Sequence, residues 1–183
     1  MVTNKFQQTL TNKSLQQIRT ILASNVHASL AVFEAGGKEA GGQEAGGKEA
    51  GFKFPAISRV SMAVLNNSEP VLLTSALSSH TLALKANPHC SLLITEIGKE
   101  IQIKQASDND PMTRARVSLF CIASLVPAHD NDRLRDSFLA RNPKAINYID
   151  LPDFCFWRLK IEKGNFIAGF GRAYRFSGEQ LRA

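Results

Sequence analysis

PAISRVSMAVLNNSEPVLLTSALSSHTLALKANPHCSLLI, residues 55–94, is the stretch whose reading decides the fold. Arg59–Leu65 is rich in β-compatible side chains, and Asn66-Asn67-Ser68-Glu69 is a cluster of turn formers. Pro70–Thr74 then runs back, so the spacing predicts a β-hairpin. Ser78 and Ser79 stand as N-cap candidates before a short helix, His80–Ala86, because a hydroxyl there accepts from a free backbone N–H. Asn87-Pro88 stops that helix, since a residue before proline is pushed out of helical geometry. Ser91–Glu96 reads as the next strand.

Working outward, residues 11–24 read as a helix that Asn12 or Ser14 can cap. Leu15, Ile18, Ile21 and Leu22 recur in it at helical spacing. His27–Phe33 reads as a first strand. On the other side, Glu100–Gln105 alternates apolar with polar residues like an edge strand, Ser107–Pro111 is a polar loop, and Arg114–Val126 is a long strand. Asp130–Arg141 reads as a helix, and Asn142-Pro143 opens a second short one to Ile149. Phe154–Glu162 and Phe166–Phe170 are expected to form a last hairpin around Lys163-Gly164-Asn165. Phe156 and Trp157 alternate there, one for the core and the other for a partner or groove. Gly169-Phe170-Gly171 is too short for a phosphate loop and reads as a strand where backbones approach closely.

At least six strands joined by short connections imply a mainly β, antiparallel barrel with short helices. Small barrels close around side chains. A ligand is therefore expected outside, in a groove that a second subunit completes.

Glu34–Gly51 differs in kind, reading EAGGK, EAGGQ, EAGGK, EAG. Paired glycines cost about 1 kcal/mol each in a helix interior. With no large apolar side chain to bury, this is expected to be a flexible Gly-rich insertion between two strands, within one domain spanning 1–183.

The whole chain has 183 residues, 44% hydrophobic and 21% charged, which suits one globular core. A formal charge of +6 suits an anionic partner. Basic residues are scattered without interleaved aromatics, so nucleic acid is not expected. Cys90, Cys121 and Cys155 form no C-x-x-C pair, and an odd count argues against a disulfide framework. The polar N-terminus lacks the apolar centre of a signal peptide, and no apolar run is long enough for a bilayer. A soluble, cytoplasmic protein with no membrane partner is expected.

Residues 55–94 resemble the flavin-binding core of the pyridoxamine 5′-phosphate oxidase-like superfamily, and within it the haem-utilisation-type branch. The resemblance lies in the order strand, turn, strand ending Thr-Ser, polar loop, short helix ending Asn-Pro, strand. The phrase Ser75-Ala76-Leu77-Ser78-Ser79-His80-Thr81 matches the branch's Ser-x-Leu-x-x-His-Thr. Asp110-Pro111, Asn142-Pro143 with Tyr148, Asp153-Phe154, Arg158-Leu159 and Gly169–Ala173 follow in the same order. The similarity covers about four fifths of the chain, and it is the order and spacing of the phrases that make it specific.

The resemblance implies an antiparallel split β-barrel, a homodimer, and FMN bound at the subunit interface. It further implies an oxidoreductase-like activity on a small-molecule or tetrapyrrole substrate, with haem as the alternative ligand and a non-catalytic flavin-binding role as another. Arg59 lines up with a phosphate-binding arginine, and Arg116 lies where the next cofactor-lining strand runs. Ser78, Ser79, His80 and Thr81 place hydroxyls, an imidazole and free N–H groups at one helix start, which suits a phosphate dianion. The branch commonly has Gly before the first Ser, Tyr at Met62 and Asn at Ala83, so polar contacts to flavin are expected to be missing there. Haem-degrading members carry a C-terminal iron-ligating histidine, whereas none follows His129 here. His80 and His89-Cys90 are too few and too close for a zinc site. No hydrolase or phosphate-loop motif is present, and no catalytic acid or base stands out, as suits a protein whose cofactor carries the chemistry.

Overall fold

Thr11 caps the first helix, α1 (Asn12–Ser24), in the computed structural model, which describes residues 8–34, 54–65, 68–97, 110–169 and 171–182. The Thr11 hydroxyl accepts from the Ser14 N–H at 3.2 Å, and Ser14 Oγ accepts from the Thr11 N–H at 2.8 Å. Ser14 is thus the reciprocal partner in a capping box, and Asn12 already lies inside the helix. Ile18, Ile21 and Leu22, three and four apart, are buried along one stripe.

The strands are β1 (His27–Phe33), β2 (Pro55–Val64), β3 (Pro70–Ser75), β4 (His89–Thr95), β5 (Arg116–Leu125), β6 (Phe154–Ile167) and β7 (Ala173–Ser177). They form one antiparallel sheet in the order β3-β2-β1-β4-β5-β6-β7, and β3 also pairs with β6. That extra pairing closes six strands into a barrel, leaving β7 outside the closure. One long strand makes this possible. Residues 154–158 of β6 pair with β3, residues 157–167 with β5, and residues 163–167 with β7 on the edge that β3 has left.

This corrects the expected last hairpin. Phe154–Ile167 is one unbroken strand of 14 residues, and Lys163-Gly164-Asn165 is not a turn. Gly164 faces Phe176 across β7, where an added Cβ would fall 2.2 Å from the ring. Close approach of an aromatic ring, not chain reversal, requires glycine there. The reversal comes at Gly169 and Gly171, whose φ values of +103° and +76° are left-handed. The roles expected of the two glycine phrases are therefore exchanged.

Alternating residues fill the barrel: Leu30, Met62, Leu72, Leu92, Leu119 and Leu159 are all within the core. The helix α2 (Ser79–Ala86) adds Ala83 and Leu84 to it. A second, outer cluster forms where α3 (Asn131–Arg141) lays Leu134 and Phe138 over Val71, Leu73 and Phe156. Phe138 meets Phe156 edge-on with ring centres 5.6 Å apart. Phe156 and Trp157 are thus both buried, one under α3 and one inside the barrel; neither faces a groove.

The opposite outer face, from β2 through β1 and β4 to β5, has no helix over it among the described residues. Ile57, Phe33 and Leu93 on it are 75%, 47% and 43% exposed. The predicted strand Glu100–Gln105 lies outside the described residues, as does most of the glycine repeat. The repeat's flanks are paired: Phe33 opposes Pro55, and the Glu34 N–H donates to the Phe54 carbonyl at 3.0 Å. No helix among the described residues is long and apolar enough to cross a membrane.

Candidate functional site

At the end of β3 the chain turns through Ser75–Ser78 into α2, and Asp153 holds that turn. Ser75 Oγ donates to the Asp153 carboxylate, and the Ala76 N–H donates to the Asp153 carbonyl at 2.6 Å. Ser75 Oγ also accepts from the Leu77 N–H at 3.1 Å. Ser78 then occupies the N-cap position of α2 without making a side-chain cap bond, so its hydroxyl stays uncommitted. The N–H groups of Ser79 and His80 find no acceptor among the described residues. They are the usual unpaired donors of a first helical turn.

A cavity of about 280 Å³ opens beside this turn, and Arg59, Ser61, Ser78, His80, Tyr148 and Phe154 are among its walls. The fold therefore brings together three of the expected site residues, Arg59, Ser78 and His80. Ser79 sits at the same helix start with its side chain exposed, outside the lining. Thr81 is fully buried and donates its hydroxyl to Thr74 Oγ1 at 2.9 Å. Arg116 is three strands away from Arg59 in the sheet order, and its guanidinium donates to the Met112 and Arg114 carbonyls at 3.3 Å each. Met62 and Ala83 face the barrel core. Their difference from the branch pattern thus concerns packing, not the groove.

Partial burial pushes the His80 imidazole below the ordinary histidine value, favouring the neutral form. A phosphate or carboxylate in the groove would work against that shift. Sequence reasoning missed the far wall of the groove. Asn142 Nδ2 donates to Ser61 Oγ at 2.9 Å, Tyr148 Oη lies 3.3 Å from the same oxygen, and the Tyr148 and Phe154 rings stand 5.4 Å apart. Asn142-Pro143 and Tyr148 were visible as a phrase, but only the fold carries them back to β2.

A larger cavity, about 600 Å³, lies on the uncovered face. Its walls include Phe33, Pro55, His89, Phe120, Ile122, Glu162 and Lys163. Asn87 Oδ1 accepts from the His89 N–H at 3.1 Å and lies 3.0 Å from His89 Nδ1. Because a carbonyl oxygen only accepts, Nδ1 is the donor in this contact, and Nε2 takes no part in it. The Lys163 ammonium lies 5.6 Å from the Phe120 ring centre. Cys90 and Cys121, direct register partners on β4 and β5, also touch this cavity as free thiols. Burial pushes Cys90 up to about 12 and Cys121 upward as well, so both stay protonated near neutrality.

A barrel closed by one long strand, with an anion-suited groove outside it, defines a split-barrel protein of the pyridoxamine 5′-phosphate oxidase-like fold. The chain belongs to the CREG β-barrel family, whose pattern it matches over residues 14–180. It is 32% identical over 165 residues to "Non-canonical heme oxygenase HOZ, chloroplastic" of Arabidopsis thaliana, across 90% of this chain and 43% of that protein. It is 30% identical over 122 residues to "Heme oxygenase HutZ" of Vibrio cholerae, across 64% of this chain and 65% of that one. The chain thus spans less than two thirds of the length of both relatives. A solved heme binding protein from Mycobacterium smegmatis superimposes with a TM-score of 0.73 at 25% identity, over 95% of this chain and 62% of that one. The fold alone is shared with a Clostridium acetobutylicum protein of the pyridoxinephosphate oxidase family, with a TM-score of 0.62 and 16% identity, over 94% of this chain and 99% of that one.

Proposed function

We propose that this chain binds haem on the uncovered face of a homodimeric split barrel. The observation that carries the reading is the largely apolar cavity at Phe33, Pro55, Phe120 and Ile122 with His89 in its wall. These residues fit the group. Its volume of about 600 Å³ suits a tetrapyrrole-sized ligand. His89 would offer iron its Nε2, and Asn87 would orient the ring from the other nitrogen, as outer partners of metal-binding histidines do. The aromatic and aliphatic walls exclude water from the macrocycle, and Lys163 supplies a cation for a propionate, while the neighbouring Glu162 carboxylate in the same wall is paired with Lys160 at 2.8 Å. When bound, haem supplies a redox-active iron. The two relatives described as heme oxygenases and the mycobacterial heme binding protein support the choice of ligand.

A second reading, FMN in the smaller groove, has its own support. There Ser78 Oγ, the Ser79 and His80 N–H groups and Arg59 converge as donors suited to a phosphate dianion. The flavin would supply hydride chemistry, and the chain's own groups would hold and orient it.

Titration of the purified protein with haemin and, separately, with FMN and riboflavin tests both. Haemin is expected to give a Soret band whose position shifts in His89→Ala and is unchanged in His80→Ala. A Soret band unmoved in His89→Ala removes His89 as ligand, and no saturable haem binding removes the first reading altogether. Arg59→Ala with His80→Ala is expected to weaken FMN much more than riboflavin, since only FMN carries the phosphate. Equal losses for the two flavins overturn the groove assignment.

A further inference from the structure

One flank of α3 builds a polar surface that neither the haem nor the flavin reading uses. Asp130, just ahead of the helix, and Arg133, Leu134, Ser137 and Arg141 within it recur three and four residues apart, so they share that flank. Together with Arg158 of β6 and Val64-Leu65 at the end of β2 they enclose a cavity of about 480 Å³. Three arginines against one aspartate leave its walls with an excess of two positive charges.

The three guanidiniums differ in what holds them. Arg158 Nη2 lies 3.4 Å from Asp130 Oδ2, and Arg141 Nη1 donates to the Ala23 carbonyl at 2.7 Å. Each of these bonds occupies only part of a guanidinium that has five donors. Arg133 is exposed and meets no acceptor among the described residues. Val64, Leu65 and Leu134 supply apolar surface in the same walls.

We propose that this cavity binds a small phosphomonoester. Its dianionic head meets Arg133, Arg141 and Arg158, and its apolar body lies on Val64, Leu65 and Leu134. Planar guanidiniums match the paired oxygens of a phosphate. A phosphomonoester brings two negative charges near neutral pH, equal to the excess in the walls. A monocarboxylate brings one and leaves a cation uncompensated. The volume lies in the range that encloses a small organic ligand.

Calorimetric titration of the full chain with phenyl phosphate, inorganic phosphate and benzoate tests this at fixed, low salt. Phenyl phosphate is expected to saturate the protein and to bind more tightly than the other two. Arg133→Gln is expected to weaken it about tenfold, and adding Arg158→Gln to abolish it. Lys144→Gln, the same charge change outside the cavity, is expected to leave it unchanged. Equal weakening by Lys144→Gln and Arg133→Gln would mean general attraction to a basic protein and overturn the site. So would an absence of saturation, or benzoate binding as tightly as phenyl phosphate. Loss of binding in Arg59→Ala would move the ligand to the other groove and equally overturn it. The Arg133 guanidinium meets no acceptor among the described residues, so Arg133→Gln decides the matter even where the double variant unfolds.

Discussion

His80 shows how a single side chain joins the site to stability. Its folded value lies below the ordinary one because burial disfavours the imidazolium. As pH falls, the unfolded chain therefore takes up this proton first. The stability linked to neutral His80 is full above about pH 6.5 and is lost as pH falls through the lower folded value. His80→Gln is expected to flatten the acid limb of the melting temperature between about pH 7 and pH 5. Parallel limbs in melts of the two proteins would contradict the shift. At this scale the sequence was partly legible. Arg59, Ser78 and His80 do share one groove: the serine pair before a short helix signalled the donors at Ser78 and His80, while Arg59 came only from the family resemblance. Thr81 was not legible, since nothing local says that its hydroxyl turns inward to Thr74, seven residues back across the turn. Arg116 was placed by analogy along its strand, but the sheet order sets it three strands from Arg59.

Elements were legible wherever a period repeats and misread wherever one residue serves a distant partner. β1, β4 and the long β5 follow alternation, which reports local burial directly, whereas β3 is buried along nearly its whole length. Gly164 signals a turn by type, yet it is glycine because Phe176 stands over it, twelve residues on. The helix α3 was legible, but the surface that it covers was not. Its Phe138 is 1% exposed and packs edge-on to Phe156, tying the helical layer to the outside of β3 and β6. Phe138→Ala leaves a cavity under the helix and is expected to cost about 3–5 kcal/mol of unfolding free energy. Denaturant melts measure this, and a loss below 1 kcal/mol would mean that the outer cluster repacks without it. Because the C-cap residue of α3, Asn142, also holds Ser61, loosening the helix is expected to disturb the Arg59 groove before the His89 cavity.

At the scale of the molecule, the barrel has one outer face under α3 and another that no described helix covers. On the second, the outward positions of β1 between β2 and β4 are small. Ser29 stands between Arg59 and Leu93, and Ala31 stands between Ile57 and Ser91. Ile57, Leu93 and Phe33 are exposed apolar side chains on this face. Exposed patches of this kind mark interfaces, and a face matched to its own copy closes as a two-fold dimer. The proposed homodimer buries these side chains and places the wall of the His89 cavity beside the second subunit. Ile57→Glu with Leu93→Glu is expected to give a folded monomer with unchanged circular dichroism. That monomer is expected to bind haem more weakly, because the cavity has lost its second wall. Sedimentation velocity on both proteins, with haemin titrations alongside, distinguishes the outcomes. A wild-type monomer removes the dimer. A dimeric variant moves the interface elsewhere, and a monomer that binds haem as tightly as the parent means the cavity is complete within one chain.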